Sequence, residues 1–229
     1  MSEILPQSFV LNNREDVIKF ENLTKSYIKD RALSAEGLHL SLVKAYDHCQ
    51  KRGDDKKLFY VLLDIYINFG LLHCDMISAN QGKLIGGNVL NSEENFFEKM
   101  DMHRFYSSFI FRYRAMWDKL MGLLVLICVS EEQYEKYTNS KSRLAKFEKI
   151  CKEFNILQID SVIQIIESIR EFDDNFRTPE AHGAGALRKW SFLMNSESPV
   201  DNLLGYWNEI NRFMAVIGDM FNTFEQRLK

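Results

Sequence analysis

Residues 102–129, MHRFYSSFIFRYRAMWDKLMGLLVLICV, decide the fold class of this chain. Met102, Phe105, Phe109, Met116, Leu120, Leu123 and Ile127 recur three, four or seven positions apart. At about 100° per residue they stay within about 80° of one another, one face of a long helix. Beyond Phe109 the opposite face also turns apolar, with Phe111, Ala115, Gly122, Leu126 and Val129. A second packing layer or a partner subunit is therefore expected to cover it. Ser92, with Glu93 and Glu94 behind it, supplies an N-cap and an acidic first turn, so the expected helix runs over 92–129.

The same periodicity extends outward in both directions. A charged excursion at 130–141 is followed by a helix near 142–154, and Asp160 caps the run Val162, Ile165, Ile166, Ile169, Phe172 and Phe176. Residues 184–195 suit a short helix, and Leu203, Trp207, Ile210, Phe213, Ile217, Met220, Phe224 and Leu228 form the clearest amphipathic stripe. Upstream, helices are expected over 15–29 and 35–51, the latter stopped at Arg52-Gly53-Asp54. Leu58 to Ile77 is apolar on almost every face, yet Asp64, Asn68, His73 and Asp75 interrupt it, which reads as a central buried helix rather than a membrane span. Gly82 to Asn88 lacks the Gly-Lys-Ser/Thr of a phosphate loop and reads as a connection. The expected architecture is all-α: a single domain over 1–229, an antiparallel helical bundle on helices 92–129, 160–176 and 201–228. Residues 1–91 are peripheral helices and 92–229 the bundle core.

Composition narrows the function. Three prolines and eleven glycines in 229 residues are too few for a sandwich or barrel, and 46% hydrophobic residues can fill a large core. A formal charge of −3 provides no global field for a polyanion, so nucleic-acid contact has to be local. Cys49, Cys74, Cys128 and Cys151 lack C-x-x-C spacing and sit beside apolar residues, which reads as buried free thiols in a reducing compartment. The N-terminus lacks the basic and apolar regions of a signal peptide, so the cytoplasm is the expected location. His48-Cys49 and His73-Cys74 are adjacent pairs that point about 100° apart on a helix, so no metal or other cofactor is expected.

Chemistry concentrates in Phe176-Arg177-Thr178-Pro179-Glu180-Ala181-His182. Thr178 suits an N-cap and Pro179 a first helical position, which would set Arg177 and His182 around the first turn of a new helix. Free N–H groups there favour an anion, a guanidinium can grip phosphate oxygens, and an imidazole can move the proton of a ribose 2′-hydroxyl near neutral pH. The plain alternatives are an i, i+4 ion pair of Arg177 with Asp173 and a helix-start histidine satisfied by backbone. Glu171, Asp173, Asp174 and Glu180 would repel a polyanion unless Arg188, Lys189 or a second subunit offsets them. Arg114 could add charge to such a cleft, or else pair with Asp118 at a packed seam.

The Phe-Arg-Thr-Pro-Glu-Ala-His-Gly wording, following a strongly amphipathic helix, resembles the HEPN family over roughly 92–229. The resemblance implies an antiparallel helical bundle, a homodimer in which the Arg-x4-6-His motifs meet across a cleft, and metal-independent RNase activity of a bacterial defence or toxin-antitoxin kind. It would make Arg177 the stabiliser of the phosphorane charge and His182 the general base or acid, with Thr178, Arg188, Lys189 and Arg114 along the path of RNA or a nucleotide. Thr178 stands where family RNases commonly place Asn, Asp or His, and Gly183-Ala184 replaces a His-x-Tyr ending. Non-catalytic members bind nucleotides or proteins, which is the alternative expectation.

Overall fold

The helix demanded by the 102–129 pattern is the spine of the molecule. In the computed structural model, which describes residues 11, 13–30, 41–52, 57–81, 93–182, 205–210, 212, 213 and 215–217, it runs as α4 from Glu93 to Cys128. The remaining helices are α1 (Arg14–Asp30), α2 (Leu42–Arg52), α3 (Lys57–Gln81), α5 (Glu131–Thr138), α6 (Arg143–Phe154), α7 (Ile159–Phe172) and α8 (Thr178–His182). Residues 205–217 are helical at every described position, and no strand occurs among the described residues. The fold is an all-α helical bundle. The expected cap at Ser92, the stop at Gly53, the connection at 82–88, the helix at 184–195 and the outer parts of 35–51 and 201–228 lie outside the described residues.

α3 lies antiparallel along α4. Asp64 meets Lys119 near one end, and Asp75 meets Ser108 at 2.7 Å and Arg112 at 3.0 Å near the other. Leu62, Ile65, Tyr66, Phe69, Leu72 and Met76 turn inward and are buried, while Tyr60, Ile67 and Leu71 stay exposed. Each buried side chain of this size stabilises the fold by about 1.5–3 kcal/mol, so α3 belongs to the core rather than to a peripheral layer. By length and composition alone Lys57–Ser78 could cross a bilayer; here its inner face is spent on α4.

The double burial expected of α4 begins later than its apolar pattern suggests. Phe109, Met116, Leu120, Leu123 and Ile127 are buried as expected, but Phe111 and Ala115 remain exposed. From Leu120 to Val125 every residue is buried, because α5 folds over this segment. Tyr137 donates its hydroxyl to the Asp118 carbonyl at 2.9 Å, and a Cβ on Gly122 would meet the Tyr134 ring at 3.1 Å, an approach that glycine allows. α5 itself replaces the expected charged excursion. Ser130 caps it by accepting from the Gln133 N–H at 3.3 Å, and Glu131 and Glu132 occupy its first turn. Tyr137 is its one buried residue, so hydrophobic periodicity had almost nothing to register.

None of the four cysteines forms a disulfide. Cys49 and Cys151 are buried and Cys74 half-buried, but Cys128 is exposed, correcting the expectation that all four are enclosed. Burial pushes the Cys151 thiol up to about 12, which keeps it unreactive at neutral pH.

Candidate functional site

α7 docks through Val162, Ile166, Ile169 and Phe172, all buried. The Phe172 ring lies 4.3 Å from that of Tyr113 on α4 and 4.9 Å from that of Tyr206, and Phe176 lies 5.6 Å from Tyr206. Ser168 donates to Glu209 at 2.6 Å and Tyr113 to the same oxygen at 3.4 Å. The inner face of the motif-bearing helix is thus fixed to α4 and to the C-terminal helical residues.

Arg177 and His182 lie on one continuous helix, not across a boundary. α7 passes through a π-helical turn, Asp173–Arg177, directly into α8. Thr178 is helical at φ −65 and ψ −48, and its N–H bonds to the Asp173 carbonyl. This corrects the expectation that Thr178 caps a new helix with Pro179 at its first position. Pro179 has no N–H and its ring would collide with the carbonyl four residues back; a widened turn ahead of it relieves the collision. Position 178 therefore offers no helix start to hold a phosphate.

Arg177 is 47% exposed, with Nη1 3.7 Å from Asp173 Oδ1, the i, i+4 arrangement. The other Asp173 oxygen accepts from Arg114 Nε at 2.9 Å, Arg114 Nη1 lies 2.5 Å from Asp118 Oδ1, and Arg143 Nη1 lies 3.2 Å from Asp118 Oδ2. Arg143, Asp118, Arg114, Asp173 and Arg177 form a chain of alternating charge from α6 to the π turn. Arg114 is only 11% exposed, and its guanidinium faces two carboxylates inside the bundle. Burial works against its charge, but Asp118 and Asp173 outweigh burial and raise its pKa above the ordinary arginine value.

His182 and Thr178 are exposed. At about 100° per residue, Arg177 and His182 diverge by about 140° around the helix axis. Arg188 and Lys189 lie outside the described residues. Of the four acids near the motif, Glu171 and Asp174 are exposed, Asp173 is engaged with Arg114, and Glu180 turns inward. Glu180 is 4% exposed, and its Oε1 lies 3.5 Å from Nε2 of His103 on α4. His103 is a residue that sequence spacing gave no reason to select.

A cleft of about 230 Å³ opens beside α4, lined by residues that include Asp64, Asp118, Lys119, Tyr134 and Arg143. Its charges pair with one another, Asp64 with Lys119 and Asp118 with Arg143. Among the described residues no group of three or more His, Cys, Asp or Glu is placed to hold a metal ion. No family model, curated protein or solved structure matches the chain.

Proposed function

We propose that the chain is a HEPN-like, metal-independent endoribonuclease of the cytoplasm, acting as a homodimer. The reading rests on one observation above all: Arg177 and His182 stand in solvent on a helix that is clamped to the core by Phe172, Phe176 and the Asp173 to Arg114 pair. In this reading Arg177 binds the phosphodiester and stabilises charge on it, while His182 moves a proton during attack of the ribose 2′-hydroxyl. Because the two side chains diverge around one helix, the site is composite: Arg177 of one copy works with His182 of the other.

Cleavage of mixed-sequence RNA in EDTA tests the reading. His182→Ala and Arg177→Ala are expected to lower the rate by about 10²–10⁴. Wild-type cleavage that survives His182→Ala unchanged removes the proposal.

A second reading is a non-catalytic bundle that binds a nucleotide or a protein. The same divergence favours it within a single copy, as do the exposed carboxylates of Glu171 and Asp174 beside Arg177. A chain that remains at 26.9 kDa in solution has no composite site and selects this second reading.

A further inference from the structure

We infer that His103 is a second catalytic imidazole of the proposed ribonuclease site, and that the buried Glu180 is the positioning residue that holds it; the inference rests on the nuclease reading above. The Glu180 side chain is 3% exposed and its Oε1 lies 3.5 Å from His103 Nε2, while the imidazole remains 20% exposed. A buried carboxylate facing one ring nitrogen, with the ring still reachable from solvent, is how proteins fix a working tautomer. A separation of 3.5 Å is a loose contact that binding can tighten.

Placement agrees with this role. Glu180 follows Arg177 by three positions, so the two lie about 60° apart around the helix axis, one turn from each other. The His103 imidazole therefore sits nearer the Arg177 side of the helix than His182 does. The site then joins a phosphate-binding arginine to an oriented imidazole within one copy.

The step balances without a metal or a redox partner. The His103 imidazole takes the proton from the ribose 2′-hydroxyl, the O2′ to phosphorus bond forms, and the phosphorus to O5′ bond breaks. The leaving O5′ takes its proton from the His182 imidazolium across the dimer cleft. The products are a 2′,3′-cyclic phosphate and a 5′-hydroxyl, and both histidines exchange protons with water to reset.

The test is RNA cleavage in EDTA by the full chain, comparing wild type with His103→Ala, His103→Asn and Glu180→Gln, each checked for fold by circular dichroism. The two His103 variants are expected to lower kcat by about 10²–10⁴ with KM little changed, and to abolish one limb of the pH–rate profile. Glu180→Gln, which keeps the shape but loses the charge, is expected to lower kcat about tenfold or more and leave KM in place. A folded His103 variant with wild-type kcat overturns the inference while the nuclease reading stands. Unfolding of both His103 variants assigns the residue to structure and overturns it too. A folded wild type inert on every RNA defeats the nuclease reading itself, and this assignment with it.

Discussion

Asp173 sits between two arginines that use it differently. Arg114 approaches at 2.9 Å, is 11% exposed, and is held by Asp118 from the other side. Arg177 approaches no closer than 3.7 Å and is 47% exposed. The same carboxylate thus anchors a structural guanidinium with one oxygen and loosely tethers an accessible one with the other. The difference is one of solvation. Inside the bundle a charge must be met by an opposite charge, whereas at the surface water does most of that work and leaves the side chain available to a ligand.

Removing Arg114 should have the largest effect on stability. Arg114→Ala leaves Asp118 and Asp173 facing each other in a largely enclosed space, and the loss is expected to be about 3 kcal/mol or more in urea unfolding. A loss below about 1 kcal/mol would show that the chain of alternating charge is held mainly by solvent. A smaller, pH-dependent effect is expected at Asp75. Burial raises its carboxyl above the ordinary value, against the opposing hydrogen bond from Ser108 and the charge of Arg112. Between the ordinary value and the raised one, the folded chain keeps a proton that the unfolded chain has lost, so this group's contribution to stability falls as pH rises. Asp75→Asn, with nothing to titrate there, should gain on wild type as urea midpoints are followed upward from about pH 4. A gap that stays flat, or shrinks in the other sense, contradicts the assigned burial.

Arg177→Ala should move stability least, within about 0.5 kcal/mol, while lowering the rate of RNA cleavage by about 10²–10⁴, as the proposed function requires. Equal destabilisation by Arg177→Ala and Arg114→Ala would erase the distinction between the two arginines.

Much of the bundle was legible because helices announce themselves locally. The stripe Phe109, Met116, Leu120, Leu123 and Ile127 is buried as its spacing required, and so are Val162, Ile166, Ile169, Phe172 and Phe176. α5 escaped because a helix of eight residues with one buried side chain leaves no stripe, although the Ser130 cap and Gln133 three residues on were readable. The boundary drawn at Thr178 failed for another reason. Thr-Pro-Glu is a common way to begin a helix, and the sequence does not say that a π turn will carry the preceding helix through it.

What the amino-acid order determined by itself was the set of helices and which face of each is apolar, since both follow from contacts within a few residues. Only the tertiary structure decided which charges meet. Arg114 and Asp173 are 59 residues apart in the chain, and His103 reaches Glu180 only because α8 comes to rest against α4. Electrostatic partnership depends on distances of 3 to 4 Å, which no periodicity encodes. It is therefore packing that made one arginine of the motif region a strut and left the other open to a ligand.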